Sequence, residues 1–182
     1  VTGTEYYALS ESRRLAIGLP HVDQRTFTGS NALMARSYLH AAPVLGKPEI
    51  EELALHTLSR LFEQRFDVKR GLAHVETEGV HGLYGLLSDH ILFGQALVEA
   101  FSATGQSRFL KNAEAIAEVS QQLLQDALHG GFFDHPRLSD TLGLLKLPTK
   151  PVTENFQAAL WYLNLYHVTG NQVYRSIAEK TL

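Results

Sequence analysis

The stretch ALVEAFSATGQSRFLKNAEA, residues 96–115, predicts the end of one helix, a tight turn at Gly105 and the start of a second helix. Glycine after the last turn of a helix adopts the left-handed backbone conformation without the steric penalty of a Cβ atom. Phe109 and Ala113 follow the glycine by four and eight residues, so they lie on one face of the second helix and can pack against the first. The stretch therefore predicts a helical hairpin.

Two other parts of the chain repeat this hairpin pattern. Their turn glycines are Gly46 and Gly170, which lie 59 residues before Gly105 and 65 residues after it. Large apolar residues recur four positions after each glycine and alanines recur eight positions after it: Ile50, Phe109 and Tyr174, then Ala54, Ala113 and Ala178. A small residue at the second position lets two helix backbones approach closely. The repeat therefore predicts similar hairpins near residues 29–66, 87–128 and 153–182.

The connections between the predicted hairpins are long and partly strand-like. Residues 71–76 show the apolar alternation of a short strand, and residues 130–134 combine a glycine turn with two phenylalanines. A further helix is expected at residues 4–16. Hairpins joined in this way are typical of an α/α toroid, in which inner helices run parallel around an axis and outer helices return. We therefore expect residues 1–182 to form one all-α domain, a partial α/α toroid of the six-hairpin type with about three hairpins and short strand-like connections.

The composition excludes several classes of protein. The 182 residues are 45% hydrophobic and 19% charged, which is typical of one globular domain. The net charge of −3 and the absence of like-charge runs argue against nucleic acid as a partner. No apolar stretch is long enough for a membrane span, and no signal peptide is visible. The absence of cysteine excludes disulfides and thiolate metal sites in these residues, and is compatible with a cytoplasmic location.

Four motifs resemble segments of the YyaL family, the spermatogenesis-associated thioredoxin-headed proteins. Residues 20–34, PHVDQRTFTGSNALM, resemble a segment that ends in a Trp-Asn-Gly-Leu-Met type run, and residues 87–91, LSDHI, resemble the Asp-Tyr-Ala start of an inner helix. Residues 130–134, GGFFD, are similar to the family's Gly-Gly-Phe-Phe-Asp connection, and residues 150–155, KPVTEN, stand where it has a Pro-Ser-Gly-Asn type run. Ser30, His90 and Glu154-Asn155 depart from these patterns.

The resemblance covers roughly residues 10–182 and implies the C-terminal half of such a protein. It implies a six-hairpin toroid akin to glycosidases and N-acylglucosamine 2-epimerases, with a thioredoxin-like domain elsewhere in the parent chain as a possible partner. The chain starts at Val1 and its only methionine is Met34, so we expect a piece of a longer protein.

Three pairs of polar residues occupy equivalent positions, sixteen and fifteen residues before each turn glycine: Ser30 and Asn31, Asp89 and His90, Glu154 and Asn155. Each pair falls in the first turn of a predicted inner helix. We therefore expect all three pairs at one end of the ring, here called the mouth. Helix capping is the simpler explanation for Ser30, Asp89 and Thr153, whereas the amide and imidazole groups are what a polar ligand pocket needs.

These pairs suggest specific chemistry if the mouth binds a ligand. Asp89 and Glu154 could act as the paired carboxylates of glycoside hydrolysis, and His90 could act as the base of an epimerisation near neutral pH. Trp161 could stack on a sugar ring if it were exposed, although a core position is the alternative. Ser30, Asn31 and Asn155 would then bind the ligand through hydrogen bonds.

The sequence suggests neither a metal nor a cofactor. No histidine pair has the i, i+4 spacing of a helical metal site. Phosphate-binding glycine loops and the nucleophile motif of serine hydrolases are also lacking in the sequence.

Two classes of function remain open. The altered motifs favour a non-catalytic scaffold or a module that docks a partner. The alternative is a carbohydrate-binding or carbohydrate-active domain with a sugar ligand at the mouth, and the sequence leaves open whether the protein is an enzyme. Half a ring has two ends without a neighbouring hairpin, so we also expect a homodimer that covers them.

Overall fold

Periodic apolar residues and turn glycines divide most of the chain into helices. The computed structural model describes residues 2–20, 23–77, 79–137 and 143–182; the motif residues His21 and Val22 lie outside these ranges. The helices are α1 (Gly3–Ala8), α2 (Glu11–Ile17), α3 (Thr28–Leu45), α4 (Pro48–Arg65), α5 (Leu87–Thr104), α6 (Ser107–Leu124), α7 (Val152–Thr169) and α8 (Gln172–Thr181). A short 3-10 helix covers Gly143–Lys146.

Three hairpins form the body of the fold, as the repeat predicts. They pair α3 with α4, α5 with α6, and α7 with α8. The turn residues Gly46, Gly105 and Gly170 have φ angles of 63°, 68° and 70°, the left-handed conformation expected after a helix. The alanines eight residues later, Ala54, Ala113 and Ala178, are at most 1% exposed.

The hairpins are arranged as a partial α/α toroid. Helix α5 packs against both α3 and α7, whereas α4, α6 and α8 each pack mainly on the preceding helix of their own hairpin. The inner helices are thus α3, α5 and α7, and the outer helices are α4, α6 and α8. Because α5 has an inner helix on either side, its Ile91, Phe93 and Leu97 are completely buried.

Two expected helix boundaries are wrong. The segment 4–16 is interrupted at Leu9, where the backbone is extended and Leu9 N–H donates to the carbonyl of Tyr6, so α2 begins anew after Ser10. Helix α6 ends at Leu124 rather than near residue 128. There the Asp126 carboxylate accepts hydrogen bonds from the backbone N–H groups of Leu128 and His129 and stabilises a turn instead.

A small antiparallel sheet connects the first two hairpins. Its strands are β1 (Thr26–Phe27), β2 (Phe66–Asp67), β3 (Gly71–Thr77) and β4 (Val80–Tyr84), and β3 pairs with each of the other three. Strand β3 confirms the expected strand at 71–76. In the second connection, the expected strand is a single bridge between Gln125 and Phe132. Across the described ranges, every helix is too short or too polar to cross a membrane.

Candidate functional site

The first turns of the inner helices carry the three polar pairs, but not as helix caps. The N-cap residues are Phe27, Leu86 and Pro151, which make no side-chain capping hydrogen bond. The expected capping role of Ser30, Asp89 and Thr153 in their own helices is therefore wrong. Asp89 instead acts across a helix interface, where its Oδ1 accepts a hydrogen bond of 3.0 Å from the N–H of Gly29 in the first turn of α3. A carboxylate is stabilised there by the positive end of the helix.

Asp89 also pairs with a histidine from the preceding strand. His74 Nδ1 lies 2.8 Å from Asp89 Oδ2, and the side chains are 31% and 3% exposed. Burial raises the pKa of Asp89, against the opposing effect of the His74 hydrogen bond. The pair therefore consists of a buried carboxyl group behind an imidazole that reaches solvent. No sequence pattern marks His74 as a partner of Asp89, because the contact joins residues fifteen positions apart through the fold.

A buried arginine fixes the strand that carries His74. Arg65 is 2% exposed and donates hydrogen bonds to the Thr26 carbonyl, to Thr28 Oγ1 and to Glu76 Oε2, at 2.8, 3.0 and 3.0 Å. Thr28 Oγ1 in turn donates to the carbonyl of Ala73. The start of α3 and strand β3 are thus joined on both sides of His74, which restricts the position of its ring.

His90 does not face the mouth, which corrects its expected role as an accessible base. It is completely buried, and its Nε2 accepts a hydrogen bond of 3.0 Å from the N–H of Leu72. Its Nδ1 lies 3.0 Å from Ser120 Oγ, whose hydroxyl donates to the Ile116 carbonyl. Because the hydroxyl proton of Ser120 is used in the bond to Ile116, the Nδ1–H group of His90 is the donor in the contact with Ser120 Oγ. Burial lowers the pKa of His90 to about 4.

Asn155 in the third hairpin also holds the backbone of the preceding connection through hydrogen bonds, as His90 does in the second hairpin. Its Oδ1 accepts from Phe132 N–H at 2.7 Å, and its Nδ2 donates to the carbonyls of Phe132 and Pro151 at 3.0 and 2.9 Å. Leu72 and Phe132, whose backbone groups accept or donate these bonds, each follow a glycine of positive φ. A Cβ atom on either glycine would collide with the His90 or Asn155 side chain that makes the bond. A glycine followed by a large apolar residue is therefore a sequence pattern that the two connections share.

The other selected residues are divided between surface and core. Ser30 is exposed and Glu154 is half-buried, and both lie in the first turns as expected. Asn31 is half-buried, and its Nδ2 donates to the carbonyl of Phe27 at 2.7 Å. Trp161 is completely buried against Gly94 of α5. This placement corrects the expectation that Trp161 could stack on a sugar, because the neighbouring inner helix covers the ring.

Further polar residues cross from one inner helix to the next. Arg36 Nη1 of α3 donates to Gln95 Oε1 of α5 at 2.8 Å, and Gln95 Nε2 lies 3.4 Å from the backbone carbonyl of Gln157 in α7. Arg36 and Gln95 both stand ten residues before their turn glycines. The inner helices are therefore joined by side-chain contacts between residues that no sequence motif pairs.

We expect Asn155→Ala to lower the free energy of unfolding by about 2 kcal/mol, because it leaves the buried N–H and carbonyl of Phe132 without partners. Urea denaturation measures the change. Asn31→Ala is the matched control, since the Asn31 amide bonds only one carbonyl in the turn before its own helix. Equal losses in the two variants would contradict the proposed tie between Asn155 and the connection.

Comparisons with known proteins agree with this architecture. No family model matches the chain. The chain is 26% identical over 123 residues to spermatogenesis-associated protein 20 of Homo sapiens, and 25% identical over 122 residues to the Rattus norvegicus protein. The human match covers 63% of this chain and 16% of that protein, so the chain spans only a small part of its curated relatives. These matches confirm the resemblance to the spermatogenesis-associated family.

Solved structures with this fold include several sugar-processing proteins. A family 76 glycoside hydrolase (mannosidase) of Bacteroides thetaiotaomicron matches with a TM-score of 0.72 at 18% identity, over 86% of this chain and 43% of that chain. The cellobiose 2-epimerase of Spirochaeta thermophila matches with a TM-score of 0.70 at 19% identity, over 86% and 42%. A sugar epimerase from a ruminal bacterium matches with a TM-score of 0.74 at 17% identity, over 88% and 44%. These likenesses confirm the α/α toroid fold.

Proposed function

We propose that the mouth of this partial ring binds a carbohydrate and that His74 exchanges a proton with a hydroxyl group of the bound sugar. The observation that carries the proposal is the His74–Asp89 pair, in which a partly exposed imidazole stands before a buried carboxyl group. The solved sugar-processing proteins with the same fold favour a sugar as the ligand.

The chemistry of the pair supports this role. When Asp89 is ionised it can only accept hydrogen bonds, so its contact with His74 places the imidazole proton on Nδ1. Nε2 is then left with a lone pair that can accept a proton from a sugar hydroxyl group and return it. Asp89 would act as a positioning residue, because its own oxygens are turned to Gly29 and His74.

The test is calorimetric titration with a panel of monosaccharides and disaccharides at neutral pH. We expect at least one sugar to bind, and His74→Gln to weaken its binding about tenfold, equivalent to about 1.4 kcal/mol. His129→Gln is the matched control, because the His129 side chain is 77% exposed and lies on the connection after α6. Absence of binding to every sugar, or equal losses in both variants, would overturn the proposal.

The second candidate is a non-catalytic scaffold that docks a partner, such as a thioredoxin-like domain of the parent chain. The use of His90 and Asn155 to hold backbone groups favours it, because polar atoms at the first turns then serve the fold rather than a ligand. Sugar titrations that give no binding with the folded chain would favour this candidate over the first.

A further inference from the structure

One basic and one acidic side chain are buried near each other at the mouth. Within the described ranges, Arg65 is the only buried lysine or arginine and Asp89 is the only buried aspartate or glutamate, and both residues are 2% exposed. The ion-pair partner of Arg65 is a different residue, Glu76, at 3.0 Å. Burial of a charge is unfavourable unless another charge compensates for it, so Arg65 and Asp89 each favour the charged form of the other.

The two charges lie on either side of the start of α3. Arg65 Nη1 donates to Thr28 Oγ1 at 3.0 Å, and the N–H of the next residue, Gly29, donates to Asp89 Oδ1 at 3.0 Å. Adjacent residues thus hold the guanidinium and the carboxylate close together without direct contact. Water screens such buried charges only weakly. Burial raises the pKa of Asp89, and the charge of Arg65 is one of the effects that oppose this rise.

Other charged groups near the start of α5 are neutral or more exposed. His90 is turned to Leu72 and to Ser120 of α6, and burial lowers its pKa to about 4, so it is neutral at pH 7. The first turn of α3 contains no charged side chain. The surrounding elements otherwise contribute partly or fully exposed groups: Asp23 and Arg25 before β1, Asp67 and Arg70 at the end of β2, Tyr84 in β4 and Glu154 in α7.

The number of protons on the His74–Asp89 pair decides whether His74 can accept another. With one proton, the pair consists of an ionised Asp89 and an imidazole protonated at Nδ1, and Nε2 keeps its lone pair. A second proton, taken up from solvent, occupies Nε2, because the first lies between the two side chains. A positive charge nearby makes this second uptake less favourable.

We infer that Arg65 is a positioning residue of the candidate site, which acts through Asp89 and keeps Nε2 of His74 free to accept a proton. The inference rests on the proposed role of His74 and adds the group that sets the charge of the pair. Arginine fits this role because its guanidinium does not lose its proton in proteins, so the charge persists despite burial. Glu76 acts in the opposite sense, since its carboxylate partly neutralises Arg65.

Two substitutions with opposite changes of charge test the inference. Arg65→Gln removes a positive charge and Glu76→Gln removes a negative charge, although both break the same ion pair. NMR titration of the His74 ring nitrogens and the Asp89 carboxyl carbon follows proton uptake by the pair. We expect its midpoint to shift to higher pH in Arg65→Gln and to lower pH in Glu76→Gln. Glu49→Gln, about 24 Å from Arg65 along α4, is the control that should leave the midpoint unchanged.

Shifts in the same direction, or an unchanged midpoint in Glu76→Gln, would overturn the inference, because the ion pair would then act on the site only by holding β3 in place. Glu76→Gln decides the question even if Arg65→Gln does not fold. The Glu76 side chain is 29% exposed, and glutamine can still accept a hydrogen bond from Arg65. The titration needs no sugar, so opposite shifts without any sugar binding would overturn the proposed function alone.

Discussion

Trp161→Ala is expected to lower the free energy of unfolding by about 3–5 kcal/mol, among the largest losses that a single core substitution causes. The indole ring is completely buried between α5 and α7, and it also contacts the ring of Tyr162 at 5.0 Å between centroids. Its removal leaves a cavity at the interface that joins the second and third hairpins. Urea denaturation of the variant and the wild type measures the loss.

Gly94→Ala is a control variant, and the sign of its effect on the free energy of unfolding should depend on whether Trp161 is present. A Cβ atom at Gly94 would lie 2.2 Å from the Trp161 ring, so Gly94→Ala alone is expected to destabilise the chain by forcing the helices apart. In the Trp161→Ala background the same methyl group enters the cavity, and alanine is the better helix former by about 1 kcal/mol. Gly94→Ala should then stabilise the protein. The same sign in both backgrounds would contradict this packing.

Acidification is expected to destabilise the fold through His90 by about 3 kcal/mol between pH 6.5 and pH 4. Burial lowers the pKa of His90 to about 4 in the folded chain, from 6.5 in the unfolded chain. The unfolded state therefore takes up a proton first as the pH falls. The stabilising contribution is complete above pH 6.5 and is lost progressively towards pH 4.

Two measurements isolate this residue from other titrating groups. His90→Gln removes the imidazole, so the free energy of unfolding of this variant should fall less between pH 6.5 and pH 4 than that of the wild type, whatever its starting stability. An NMR titration of the His90 ring in the wild-type chain should give an apparent pKa near 4. Titration near 6.5 would show that the ring is accessible to water and would contradict the burial of this site.

The hairpins could be predicted from the sequence because their causes are local. Gly46, Gly105 and Gly170 mark helix ends through their own backbone conformation, and the apolar residues four and eight positions later follow from helical periodicity. The break at Leu9 could not be predicted from local patterns, because helix-forming residues lie on both sides of it. Local patterns therefore give the elements and the order of the ring.

The candidate site could be predicted only in part, because its contacts join distant segments. The positions of Asp89 and Glu154 in first turns follow from the repeat, and the structure places them there. The hydrogen-bond partners of these residues do not follow from the repeat. His74 contacts Asp89, and Leu72 contacts His90, only because β3 packs against the start of α5. A polar residue in a first turn has the same sequence pattern whether it faces a ligand or the backbone of a neighbouring connection.

The hydrogen bonds from Leu72 to His90 and from Phe132 to Asn155 have a consequence for the cooperativity of unfolding. Each connection leaves one hairpin and is anchored by the inner helix of the next, so the energy of one repeat depends on whether its neighbour is folded. Repeat arrays with such nearest-neighbour coupling propagate order, and also its loss, along the chain. The two side chains therefore add a second coupling, through the connections, to the direct packing of α5 on α3 and α7.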